Sequence, residues 1–148
     1  LTRKDASLPA DPEAAILAAL KSGRIAMADP DHVPAGIYGK TTLQALGLWS
    51  SIRTQLAHSP NAPAAVALLA RGEVSAAISY QSDARLSDRV KVQLLFPEHL
   101  HAPIRYQIAL VDTGGKLKDA AVKLYDYLLD RDRNSIWKSW GFLPAAGS

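Results

Sequence analysis

Residues 24–49 read "RIAMADPDHVPAGIYGKTTLQALGLW", and the order of features in this stretch decides the fold class. "RIAMAD" (24–29) is an apolar run of strand length, the pattern of a short buried strand. A polar turn and the small-residue segment Val33-Pro34-Ala35-Gly36 follow. "GKTTLQALGLW" then continues as a helix, with Leu43 and Leu46 on one side and Gly47 near its end. Strand, turn and helix in succession are the repeating unit of an α/β protein with a largely parallel sheet.

The same alternation extends in both directions. In "DPEAAILAALKSGR" Asp11 is a good N-cap, Pro12 fits the first helical position and Gly23 sits where a helix stops. Ile16, Leu17 and Leu20 are its expected apolar face. "SSIRTQLA" (50–57) reads as one or two further helical turns. "SPNAPAAVALLARGE" repeats the first pattern: Asn61 caps, Pro63 lies in the first turn, Val66 and Leu69 face inward and Gly72 ends the helix. "VSAAISY" (74–80), "RVKVQLLF" (89–96) and "IRYQIALV" (104–111) are expected strands. "GGKLKDAAVKLYDYLLDRD" has the strongest helical period, with Leu117, Ala120, Ala121, Leu124, Tyr125 and Leu128 on one face. A short last helix holds Ile136, Trp137 and Trp140 before Gly141.

Composition narrows the function classes. The chain has 148 residues, 48% hydrophobic and 21% charged, with a net charge of +3. A chain of this length buries enough surface to fold without a metal or disulfide. Its Lys and Arg residues are scattered and do not interleave with aromatics, so no nucleic-acid face is expected. The absence of cysteine excludes disulfides and thiolate chemistry. No apolar run reaches the ~18 residues of a membrane span. The chain starts at Leu1 without an initiator Met or leader, which predicts a processed or partial chain.

The titratable residues offer three weak constellations. Asp29, Asp31 and His32 form one acidic group with a histidine, and Glu98, His99 and His101 another. Neither has the i, i+4 histidine spacing of a helical zinc site, so no protein-ligated metal is expected. His32 with Asp29 or Asp83 could act as a base and its orienter, yet no G-x-S-x-G elbow follows a strand. With four His and 14 acids, such pairs arise by chance, and polar loop residues at a helix start are the simpler reading. Neither a G-x-G-x-x-G nor a Walker loop is present.

The helix starts offer different chemistry. The first four N–H groups of a helix lack intrahelical partners and carry the positive end of the dipole. Ala35, Gly36 and Ala62 have almost no side chain to block an approaching anion. Tyr80 ends a strand, where its hydroxyl could enter the cleft above the strand ends in which α/β proteins bind ligands. Helices must start somewhere and most tyrosines are packing residues, so these features alone leave the reading open.

A family resemblance bears on that choice. "IAMADPDHVPAGIYGKTTLQALGLW", "ALLARGEVSAAISYQSDA", "VKVQLLFPEHLHAPIRYQIALV" and "LYDYLLDRDRNSIWKSWGF" resemble, in order and over nearly the whole chain, the periplasmic molybdate-binding proteins of ABC transporters. The resemblance implies a lobe of a type II periplasmic binding protein, an α/β fold whose mixed, mostly parallel sheet is flanked by helices. It implies the solute-binding component of an importer: periplasmic, without catalysis or cofactor, taking molybdate or tungstate to a membrane permease. The ligand contacts it implies are the amides of Ala35 and Ala62 and the hydroxyl of Tyr80. Pro63 leaves the second helix start one amide short of the family pattern, and Gln107 stands where the family usually has Pro.

The family's first lobe begins with a strand and two serine-bearing loops that have no counterpart here. The resemblance therefore divides the chain into a second lobe, 1–112, and C-terminal helices, 113–148, that would return to the first lobe. Three donors at about 1.5–3 kcal/mol each stand against an immobilisation cost of about 4–15 kcal/mol. A half-site of this kind is expected to bind molybdate weakly or not at all. The returning helices would leave Leu117, Leu124, Leu128, Trp137, Trp140 and Phe142 uncovered, which predicts homodimerisation or packing on a neighbour. The alternative within the same fold is the ligand-sensing domain of a transcriptional regulator, which a DNA-binding helix-turn-helix would distinguish.

Overall fold

A central strand whose faces alternate between two cores organises the first part of the molecule. The computed structural model describes residues 1–111 and 119–143. It forms two compact units, Leu1–Pro103 and Ile104–Ser148.

In the first unit the elements run β1 (Thr2–Arg3), α1 (Pro12–Ser22), β2 (Ile25–Ala28), α2 (Pro34–Ala45), α3 (Trp49–Ile52), β3 (Leu56–Ser59), α4 (Ala62–Arg71), β4 (Ala76–Ile78) and β5 (Val90–Lys91). β3, β2 and β4 make a three-stranded parallel sheet in that order, with Ile25 opposite both Leu56 and Ala76 and Ala28 opposite Ser59. β1 and β5 form a separate antiparallel pair. All four residues of β2 are buried. Because side chains alternate along a strand, Ile25 and Met27 join Ile16, Leu43, Leu48, Ile52 and Ile78 in one cluster. Ala26 joins Val66, Leu69, Val74 and Ala77 in another. The sheet is thus covered on both faces, as parallel strands require.

The helix ends follow the sequence signals. The Asp11 carboxylate accepts from the Ala14 N–H at 2.8 Å, and the Asn61 side chain accepts from the Ala64 N–H at 2.8 Å. Gly72 ends α4 in the left-handed conformation, φ 79°, which an L side chain adopts only under strain.

Several expectations are corrected. Leu17 is exposed, and α1 buries Ala15, Ile16 and Ala19 instead. The alanines let the helix lie close to the sheet, which turns Leu17 outward. Residues 53–55 form a 3₁₀ turn, and Leu56 and Ala57, expected to be helical, instead begin the edge strand β3 (Leu56–Ser59). The strand expected over 89–96 is reduced to Val90–Lys91, because its partner β1 is only two residues long. Residues 104–111 form no strand, and Ile104, Tyr106, Ile108 and Val111 are exposed.

The second unit contains α5 (Asp119–Leu129) and α6 (Asn134–Ser139). The Trp137 indole N–H donates to the Leu128 carbonyl at 3.1 Å, and Phe142 meets the Tyr106 and Trp137 rings edge-on. Leu124, Leu129, Ile136 and Trp140 are exposed. Leu117 and the expected glycine start of the helix lie outside the described residues.

Candidate functional site

The carboxyl ends of three parallel strands converge on one small cluster. Ala28 ends β2, Ala35 lies in the first turn of α2, and Ala62 opens α4. These three alanines are buried together, with Val33 and Tyr80 packed against them. The residues the sequence singled out, Ala35, Ala62 and Tyr80, are therefore brought together from three separate βα connections. Such a place, outside the carboxyl ends of parallel strands, is where α/β folds take ligands.

The start of α2 is built without a side-chain cap. Val33 occupies the N-cap position and offers no polar side chain. Pro34 has no N–H, and the Ile37 N–H is already committed to the Val33 carbonyl at 2.9 Å. Among the described residues, none accepts a hydrogen bond from the Ala35 or Gly36 amide. Gly36 is held against the end of β2: a Cβ there would lie 2.3 Å from the Ala28 carbonyl oxygen and 2.1 Å from that of Asp29.

The start of α4 reaches a similar result differently. The Asn61 side chain takes the Ala64 N–H and the Asn61 carbonyl takes the Ala65 N–H at 3.3 Å. Pro63 removes its own donor. That leaves Ala62 as the first-turn amide without an acceptor among the described residues. Ser59 ties the two helix starts together. Its carbonyl accepts from the Asp29 N–H at 2.9 Å. Its buried hydroxyl lies 3.2 Å from the Met27 carbonyl and 2.9 Å from the Asn61 carbonyl. Sequence reasoning had Gly36 as an open helix-start residue but missed its close approach to β2, and it missed Ser59, which carries no signal beyond its place before a helix.

The charged residues of the opening stretch are engaged in the turn itself. One Asp29 carboxylate oxygen accepts from the Asp31 N–H at 2.8 Å and the His32 N–H at 3.1 Å, and lies 3.2 Å from His32 Nδ1. The Asp31 N–H is the main cause that holds the Asp29 carboxyl below its ordinary range, with His32 adding to it. The His32 side chain is 82% exposed, so it faces water rather than an enclosed reaction site. Asp31 pairs with Lys40 Nζ at 2.6 Å. His101 packs edge-on to Tyr38. Asp83 bonds to Ser79 and to the Tyr80 backbone. His32 and Asp83 thus each have local partners. Among the described residues no group of three His, Cys, Asp or Glu is placed to hold a metal ion.

With the geometry in place, three comparisons bear on it. A family described as bacterial extracellular solute-binding protein matches residues 1–143. The molybdate-binding protein ModA of Escherichia coli is 43% identical over 124 residues, 83% of this chain and 47% of the relative. The substrate-binding domain of a putative molybdenum ABC transporter from Clostridium difficile superposes with a TM-score of 0.69 at 27% identity, covering 82% of this chain and 53% of that one. The Azotobacter vinelandii periplasmic molybdate-binding protein superposes with a TM-score of 0.73 over 90% of this chain and 59% of that one. At 20% identity that last likeness shows the fold alone. The chain spans about half the length of the curated relative it matches.

Proposed function

Since the chain belongs to the bacterial extracellular solute-binding protein family, we propose that it carries one half of an oxyanion site of an ABC importer. The ligand is molybdate or the isosteric tungstate. The amides of Ala35 and Ala62 and the hydroxyl of Tyr80 are its donors on this half, and the Gly36 amide stands beside them. The observation that carries the reading is the convergence of two uncapped or partly capped helix starts on a small buried alanine cluster with Tyr80 at its side.

The physics favours an anion held without a counter-charge. Helix-start N–H groups point outward with the positive end of the helix dipole behind them. Hydrogen bonds to an ionised acceptor are about twice as strong as neutral ones. The small side chains of Ala35, Gly36 and Ala62 let oxygens approach the backbone. No catalytic step is proposed: the site supplies donors and no nucleophile. Delivery to a membrane permease and a periplasmic location follow from the same reading. Among the described residues no helix is long and apolar enough to cross a membrane.

The test is a titration of the 148-residue chain with sodium molybdate, followed by the ¹H–¹⁵N NMR signals of Ala35, Gly36, Ala62 and Tyr80. Saturable shifts confined to these residues at millimolar molybdate are expected. Absence of any shift at them would refute the reading. Micromolar affinity of the isolated chain would refute the half-site part of it.

A further inference from the structure

Asp83 is bonded to its neighbour Tyr80 from both sides. Tyr80 follows β4 and opens the 3₁₀ run Gln81–Leu86, with an extended backbone at φ −71° and ψ 152°. Its N–H donates to Asp83 Oδ2 at 3.2 Å. Its carbonyl accepts from the Asp83 N–H at 3.1 Å. The Ser79 hydroxyl, on the residue before, donates to the same Oδ2. The polar groups of the Tyr80 backbone thus both engage one residue, and the carboxylate closes a ring around the point where the chain leaves the sheet.

We propose that Asp83 is the positioning residue for Tyr80, setting the backbone from which its side chain reaches the Ala28, Ala35 and Ala62 cluster. The proposal rests on the reading of Tyr80 as a ligand donor. A side chain's allowed rotamers follow from its φ and ψ. The sheet ladder that fixes both angles along β4 stops at Ile78, two residues before Tyr80. The carboxylate suits the task because it only accepts, and two donors converge on its Oδ2. The two bonds through Oδ2 need no net charge, only an acceptor. An asparagine is therefore a conservative replacement and an alanine is not.

The test uses the 148-residue chain and needs no ligand for its first arm. Nuclear Overhauser contacts from the Tyr80 ring to the Ala35 and Ala62 methyls, and the hydrogen-exchange rate of the Tyr80 amide, are compared in wild type, Asp83→Ala and Asp83→Asn. Asp83→Ala is expected to lose the contacts and to speed Tyr80 exchange roughly tenfold, the scale of one lost hydrogen bond. Asp83→Asn is expected to restore both. Contacts and exchange unchanged in Asp83→Ala would overturn the proposal. If Asp83→Ala does not fold, Asp83→Ser, too short to keep the bridge to both donors, is read the same way. The second arm is a sodium molybdate titration. The loss of response in Asp83→Ala should disappear in a Tyr80→Phe background, and an equal loss in both backgrounds would overturn the proposal. A wild-type chain that ignores molybdate refutes the binding reading, while the first arm still decides the role of Asp83.

Discussion

Gly36 and Asp29 meet backbone to backbone: a methyl group on Gly36 would sit 2.1 Å from the Asp29 carbonyl oxygen, with the Ala28 carbonyl 2.3 Å away. Both obstacles are main-chain atoms at the end of the buried strand β2, so neither can swing aside as a side chain would. Gly36→Ala must therefore lift the first turn of α2 off the sheet. Overpacking in a fitted interior costs about 1–3 kcal/mol, and the upper part of that range is expected from urea unfolding. The same lift displaces the Ala35 amide. Gly36→Ala should thus lose the molybdate-induced shift at Ala35 even at temperatures where the variant is fully folded.

The two side-chain caps separate stability from site geometry. Asp11 and Asn61 make the same bond, each accepting from the N–H three residues on at 2.8 Å. Alanine at either position is expected to cost about 1 kcal/mol, as lost N-caps do. Only Asn61 adjoins the proposed site. Asp11→Ala should leave the molybdate response of Ala62 intact, while Asn61→Ala should weaken it. Paired urea denaturation and NMR titration of the two variants check this, and equal ligand effects would contradict it.

The stretches that could be read from the sequence are those whose structure is set locally. The α1 and α4 boundaries follow from Asp11, Asn61, two prolines and Gly72, all acting within one turn of the helix. β2 was legible because a fully buried strand is apolar at every position. β3 was not: Leu56 and Ser59 are buried while His58 is exposed, and nothing in four residues distinguishes an edge strand from a helical turn. Residues 104–111 carry strand-like composition, but a strand exists only through pairing with a neighbouring strand, and no strand of the described residues pairs with them. The candidate cluster was legible in part, through its small residues at helix starts. That the Ala35, Ala62 and Tyr80 connections meet at one cluster depends on the β3-β2-β4 order, a long-range property no local motif encodes.

His32 and Tyr80 separate the charged reading of the opening stretch from the backbone reading. The His32 ring is 82% exposed and contacts Asp29. His32→Ala should leave the molybdate response unchanged within error. Tyr80→Phe removes one hydroxyl donor to an ionised ligand, which is worth about 1.5–3 kcal/mol. The titration midpoint should rise by roughly tenfold or more. A loss in His32→Ala matching that in Tyr80→Phe would return the imidazole to the site.

The Asp29 carboxylate makes an acid-range prediction with a definite sign. Its proton affinity is lowered in the folded chain, chiefly by the Asp31 N–H and then by His32. A carboxyl with a depressed folded value contributes stability above its unfolded value, near 3.9 for aspartate, and loses it as pH falls through the folded value. Asp29→Asn keeps an acceptor for the Asp31 and His32 amides but removes the charge. Wild type should therefore exceed Asp29→Asn in urea midpoint at pH 5. The margin should shrink as the pH drops below about 4. Because the carboxylate is exposed, added salt should narrow the margin at pH 7. A margin that stays flat through the acid range would mean that the turn is held by neutral hydrogen bonds, with the charge contributing nothing.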